Sequence, residues 1–123
     1  MAEAIARALG GDMVEARSAG ISPLGWVSEQ TIDTLGVLGY PAAGLSSKGL
    51  DKVDLEGVDI VLSLLGDRGL DYVPHSIGGR REAWAITDPF GEDDEIYMDV
   101  ARELEHRIRV LLSEESDPEL FPT

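Results

Sequence analysis

The alternation of apolar and polar residues predicts two amphipathic helices in the first third of the chain. Their apolar positions are Met1, Ile5 and Leu9 in the first helix, and Ile32, Leu35 and Leu38 in the second. Gly10 ends the first helix, as glycine commonly does at a helix C-terminus. The second is predicted to begin after Ser28, whose side chain can cap it, and to stop at Gly39.

A third helix has the strongest helical pattern in the chain and follows the acidic run at residues 92–95. Its apolar positions are Ile96, Val100, Leu104, Ile108 and Leu111. Residues 113–123 hold two prolines and several acids, which predicts a frayed acidic tail. Residues 1–112 are therefore predicted to form one domain, without an internal repeat or a linker.

Three stretches are predicted to be β-strands, and they are residues 13–18, 59–65 and 82–86. The second is a nearly continuous apolar run, which a parallel strand covered on both faces requires. Residues 45–52 are predicted as a loop with a short helical turn, and residues 66–79 as irregular chain or a short helix. Strands alternating with helices predict an α/β fold with a parallel sheet between two helical layers. Such a fold usually places a strand before a leading helix, so the pattern calls for one ahead of Met1.

Composition narrows the functional classes. The net charge of −14 argues against binding to nucleic acid or to an anionic membrane, because phosphate contacts need clustered Lys and Arg. None of the 123 residues is cysteine, which excludes disulfides, thiolate catalysis and thiolate metal sites within them. No signal peptide or membrane-length apolar run is visible in the sequence, so the predicted compartment is the cytoplasm.

Asp88 is the main candidate for catalysis. It follows a predicted buried strand, where open α/β sheets place ligand-binding residues. Pro89 fixes the turn, and Phe90 could shield the carboxylate from water and so favour its protonated form, which a general acid needs. The alternative is structural, because Asp-Pro is a common opening of a turn.

Two further sets of polar residues are candidate ligands. Arg17 ends the first predicted strand and could contact an oxyanion, or could equally pair with a surface acid. The acids at residues 92–95 could hold a divalent cation, but acids also favour the first turn of a helix, so no metal site is predicted.

Three stretches in this order resemble one family. Residues 1–20, residues 50–61 and the motif Trp84–Gly91 with the helix after it look like the low-molecular-weight protein tyrosine phosphatases and their relatives, the thioredoxin-coupled arsenate reductases. Residues 50–61 are closer to the arsenate reductase branch. The resemblance extends from Met1 to about Leu112.

The resemblance implies a four-stranded parallel sheet flanked by helices, in a three-layer fold. It implies a loop of the form Cys, five residues, Arg, Ser or Thr, between the first strand and the first helix, that cradles phosphate or arsenate. The cysteine attacks phosphorus or arsenic and an aspartate protonates the leaving oxygen. By resemblance that general acid is Asp88, and no cofactor is implied.

The sequence departs from the family in two places. The cysteine loop and the internal strand before it have no counterpart in these residues, and Leu65–Leu70 lacks the later thiols of the arsenate reductases. A start assigned to an internal methionine, a natural remnant and a deliberately shortened chain remain open explanations. We expect a family homologue that is inactive as given and binds an oxyanion only if the loop is present. The alternative is a non-enzymatic binding or regulatory module. An uncovered strand edge would favour a homodimer or strand exchange.

Overall fold

The computed structural model describes residues 1–20, 27–49 and 54–116. Its elements are α1 (Ala2–Gly10), a single 3₁₀ turn (Gly11–Met13), α2 (Glu29–Leu38), β1 (Ile60–Ser63), α3 (Asp67–Leu70), β2 (Arg80–Ala83) and α4 (Asp94–Ser116). The first, second and third predicted helices correspond to α1, α2 and α4, and α3 is the short helix that was one of the two alternatives for residues 66–79.

The sheet is parallel, as predicted. β1 pairs with β2 in a register that runs from Ile60 opposite Arg80 to Ser63 opposite Ala83. The backbone N–H of Trp84 donates to the carbonyl of Ser63 at 2.8 Å, which extends the pairing beyond β2. β2 therefore begins two residues before the predicted strand at 82–86, and Trp84 follows the strand instead of lying inside it.

The predicted strand at residues 13–18 does not form in the part of the chain that the structure describes. Val14 has extended backbone angles, φ −131° and ψ 129°, but the first ladder contact comes only at Gly20. There the Gly20 N–H donates to the carbonyl of Lys48 at 2.8 Å. An extended segment becomes a strand only where a neighbour accepts its hydrogen bonds, and local composition does not show where that neighbour is.

Helix α2 has the predicted ends. The hydroxyl of Ser28 accepts a hydrogen bond from the N–H of Thr31 at 3.2 Å, and Gly39 closes the helix in the left-handed region with φ 82°. The predicted apolar stripe was partly wrong, since Ile32 is 45% exposed while Leu35 is fully buried. Thr34 is buried as well, so the packed face lies about 100° around the helix from Ile32.

Helix α4 organises the core. Asp93 caps its start, because its carboxylate accepts from the N–H of Ile96 at 3.1 Å. Both α1 and α2 pack against α4. The buried cluster consists of Ala4, Ile5, Leu35, Trp84, Val100, Leu104, Ile108 and Leu111. The helix continues past Leu111 to Ser116, and the rest of the predicted tail lies outside the described residues.

One side chain bonds to several backbone carbonyls of the connection from β1 to β2. Arg81 donates hydrogen bonds of 2.7 to 3.0 Å to four backbone carbonyls, one at the end of α3 and three in the segment that leads to β2. These carbonyls belong to Leu70, Val73, Pro74 and Ile77. The guanidinium has five N–H donors in a fixed plane, so it can bond to several carbonyls at once.

Close packing at the end of β1 requires a glycine. The hydroxyl of Ser63 donates to the carbonyl of Gly66 at 2.8 Å and accepts from the N–H of Leu65 at 3.1 Å. A Cβ on Gly69 would lie 2.0 Å from that hydroxyl oxygen. The chain therefore turns sharply at the carboxyl end of β1.

Candidate functional site

Asp88 lies just beyond the carboxyl end of the sheet, where the sequence predicted it. The Ile86 N–H donates to the carbonyl of Leu64 at 3.2 Å, which keeps the chain after β2 beside the chain after β1. Asp88 follows two residues later and is exposed to solvent. This edge is the usual location of ligand-binding residues in open parallel sheets.

The carboxylate of Asp88 shapes its own turn. Its Oδ1 accepts a hydrogen bond from the N–H of Phe90 at 3.0 Å, and the N–H of Glu92 donates to the carbonyl of Pro89 at 2.9 Å. This is an Asx turn, which is the structural role that Asp-Pro often has. The turn also fixes the direction of the carboxyl group, so it is compatible with the chemical role.

Phe90 does not bury Asp88, contrary to the sequence-based expectation. Its side chain is one of the large exposed apolar groups and is 49% exposed. A ring at the surface beside an exposed carboxylate cannot keep water from it in this conformation. Shielding would need a bound molecule to cover both side chains.

Two of the four acidic residues at 92–95 have structural partners. Asp93 caps α4, and the Oδ1 of Asp94 accepts from the amide of Gln30 at 3.0 Å. Across the described residues, no group of three or more His, Asp or Glu side chains is arranged to hold a metal ion.

The side chain of Gln30 makes contacts that the sequence did not predict. Its Nε2 donates both to the carboxylate of Asp94 and to the backbone carbonyl of Glu92, each at 3.0 Å. Nearby, the hydroxyls of Ser28 and Tyr97 are 3.3 Å apart. The start of α2 is thus joined to the start of α4. The sequence does not indicate which distant residue a polar side chain in the first turn of a helix will bond to.

Arg17 is bound to neighbouring oxygens. Its Nη2 lies 2.7 Å from the carboxylate of Glu15, and its Nη1 donates to the carbonyl of Asp54 at 2.8 Å. The hydrogen bond to Glu15 and its charge raise the pKa of Arg17 above its ordinary value. Arg17 therefore takes the surface pairing that was its alternative, and its described hydrogen bonds do not reach Asp88 or Phe90.

Glu3 forms a buried charged cluster at the start of α1. Its side chain is 2% exposed, and its Oε1 accepts from the hydroxyl of Ser18 at 2.7 Å and lies 3.7 Å from Nζ of Lys48. Its Oε2 lies 2.8 Å from Nη2 of Arg7, at an angle that does not make a hydrogen bond. The cluster ties α1 to the segments that meet at Gly20. A lone Glu at a helix start gave no sign of this burial.

None of the helices in the described ranges is both long and apolar enough to cross a membrane. A family profile described as low molecular weight phosphotyrosine protein phosphatase matches residues 1–118.

Solved structures share the fold. An arsenate reductase from Archaeoglobus fulgidus DSM 4304 superposes with a TM-score of 0.78 at 26% identity, over 92% of this chain and 88% of that chain. A low molecular weight protein tyrosine phosphatase from T. tengcongensis gives a TM-score of 0.77 at 26% identity, with the same coverage of 92% and 88%. An arsenate reductase in the phosphate binding state, at 22% identity and covering 92% and 86%, matches in fold with a TM-score of 0.73.

Proposed function

The chain belongs to the low molecular weight phosphotyrosine protein phosphatase family. We propose that its 123 residues contain the general acid for chemistry on a phosphate or arsenate oxyanion, but not the nucleophile. The observation that carries this proposal is the absence of cysteine from a chain that the family profile matches over residues 1–118. A thiolate is what attacks phosphorus or arsenic in the reaction implied by the resemblance, and no side chain here can form one.

Asp88 is proposed as the general acid of that reaction. It stands at the carboxyl end of the sheet, and the N–H of Phe90 holds its carboxyl group in a defined direction. In its protonated form it would pass its proton to the oxygen that leaves phosphorus. Phe90 would form an apolar wall once a substrate covers it, which would exclude water from that transfer.

Arg17 is proposed as a secondary oxyanion contact. Its guanidinium would have to release the carboxylate of Glu15, which is 79% exposed and therefore free to turn into solvent. A phosphate or arsenate would then replace one anionic partner with another of matching geometry. One related arsenate reductase has been solved in a phosphate binding state, which supports an oxyanion as the ligand class.

Turnover of p-nitrophenyl phosphate and of arsenate by the purified chain is the direct test. We expect neither to be consumed above the rate of a buffer control. A rate that Asp88→Ala abolishes and that Asp99→Ala, an exposed acid on α4, leaves unchanged would overturn the proposed inactivity. That same result would establish Asp88 as a catalytic residue.

The second candidate is a non-enzymatic binding or regulatory module in the cytoplasm. It is favoured by β1, whose ladder partner among the described residues is β2 on one side alone. A backbone edge without a partner can pair with another strand, and a second copy of this chain could supply it as a homodimer or by strand exchange. Sedimentation that gives a compact monomer at all concentrations would argue against this candidate.

A further inference from the structure

We propose that Gln30 is a positioning residue for Asp88. The inference rests on the proposed role of Asp88 as the general acid and adds a residue from a different part of the chain. Gln30 lies in the first turn of α2 and does not touch Asp88 itself. It would act on the acid by holding the far end of the turn that carries it.

The turn is a chain of short-range hydrogen bonds, and Gln30 links its far end to another helix. The Phe90 N–H bonds to Asp88 and the Glu92 N–H bonds to Pro89, so the segment folds back on itself twice. Both contacts are between near neighbours within the turn. At the carbonyl of Glu92, the side chain of Gln30 on α2 bonds to the end of the turn.

The chemistry of the side chain fits this task. A primary amide has two N–H donors on one nitrogen, and Gln30 uses that nitrogen on two acceptors at once. One acceptor is the backbone carbonyl of Glu92, at the end of the turn, and the other is the carboxylate of Asp94, in the first turn of α4. The single amide therefore joins α2, the end of the turn that carries Asp88, and α4.

Replacing the donor by an acceptor of the same shape isolates this effect. Gln30→Glu places a carboxylate against a carbonyl and another carboxylate, so both contacts become repulsive. Gln30→Leu removes the donor without adding charge. Gln30→Lys restores a donor, because an ammonium group can reach a carbonyl and a carboxylate. Glu29→Gln changes the exposed neighbour on the same helix and is the matched control.

The test is NMR on the isotope-labelled 123-residue chain. We expect the exchange rates of the Phe90 and Glu92 amides to rise about fivefold in Gln30→Glu and Gln30→Leu, the ratio that one net hydrogen bond gives. We expect the wild-type rates in Gln30→Lys and in Glu29→Gln. Exchange of the α4 core amides and the thermal midpoint report whether any variant has lost its fold.

A second signal separates positioning from a structural role. The N–H of Phe90 bonds to the Asp88 carboxylate, so its chemical shift follows the ionisation of that group. We expect the size of this pH-dependent shift to fall about twofold in Gln30→Glu, as the partial loss of one hydrogen bond implies, and to recover in Gln30→Lys. An unchanged shift and unchanged exchange in Gln30→Glu would overturn the inference. Because neither measurement uses turnover, this failure is distinct from failure of the proposed chemistry.

Discussion

The hydroxyl of Ser18 donates a 2.7 Å hydrogen bond to Oε1 of Glu3, a carboxylate that is 2% exposed and lies on a different element. The bond joins the first turn of α1 to the segment that meets Gly49 at Gly20. Lys48 and Arg7 supply positive charge around the same carboxylate. A buried carboxylate needs such partners, because water no longer solvates it.

Neutralising this carboxylate should therefore destabilise the fold. We expect Glu3→Gln to lower the free energy of unfolding by about 1–2 kcal/mol, a modest loss because Arg7 and Lys48 keep partial contact with water. Urea denaturation measures it. Glu103→Gln removes an exposed ion pair with Arg107 of the same spacing along a helix, and should cost under about 0.5 kcal/mol. Equal losses in the two variants would contradict the buried role.

Because the Arg81 guanidinium bonds to four carbonyls, we expect its geometry, and not only its charge, to contribute to the stability of the fold. We expect Arg81→Lys to lower the free energy of unfolding by about 2 kcal/mol, because an ammonium group cannot reach all four oxygens. Chemical denaturation checks this value. Arg68→Lys, at an exposed position on α3, is the control and should change stability by less than about 0.5 kcal/mol. A loss of the same size in the control would show that the four bonds contribute nothing specific.

Substitution by alanine should change the stability of the fold in opposite directions at two glycines. In Gly69→Ala the new methyl meets the hydroxyl of Ser63 at 2.0 Å, and we expect a loss of about 1–3 kcal/mol. In Gly36→Ala the methyl meets nothing within 4 Å, and helix propensity should add about 0.5–1 kcal/mol. Thermal melting of both variants provides the check. A more stable Gly69→Ala would mean that the turn after β1 is looser than the structure shows.

We expect ionisation of Tyr40 to reduce the stability of the fold in alkali. Partial burial, reinforced by its hydrogen bond to Glu105, raises its pKa above the ordinary value of 10.0, although Arg109 opposes the shift. The folded state then holds the phenolic proton more tightly than the unfolded state does. This contribution is complete below the unfolded pKa and is lost as pH rises through the folded pKa.

We therefore expect the free energy of unfolding to decline above about pH 10, where an unperturbed tyrosine begins to ionise. The decline should be shallower in Tyr40→Phe, which has no proton to lose. Tyr72→Phe, which removes an exposed hydroxyl, provides the control and should keep the wild-type profile. Identical pH profiles for wild type and Tyr40→Phe would refute this assignment.

The sequence predicted those features that depend on neighbours along the chain. The cap at Ser28, the stop at Gly39 and the long helix α4 follow from local chemistry and from spacing. The fold class follows from the order of the elements. The position of Asp88 at the carboxyl end of the sheet follows from the strand before it.

Features that depend on distant partners were not predictable in this way. The segment 13–18 has strand-forming residues, but pairing depends on a neighbour that the sequence does not name. Ile32, expected to be buried, is exposed and Thr34 is buried instead, because the face of α2 that meets α4 is set by packing. The sequence around Arg81 and Gln30 does not indicate that the fold places backbone carbonyls within reach of their side chains. Their roles come from tertiary geometry and leave no periodic signal.

The short connection between β1 and β2 has a consequence for the order of folding. β1, α3 and β2 are consecutive, and closing a short loop costs little chain entropy. By contrast, α1 packs on α4, so that contact joins the first and last helices and must close nearly the whole chain. We expect the β1–α3–β2 unit to form early and the α1–α4 contact late. Variants in α1 should then act mainly on the unfolding rate, and variants at Arg81 should slow folding itself.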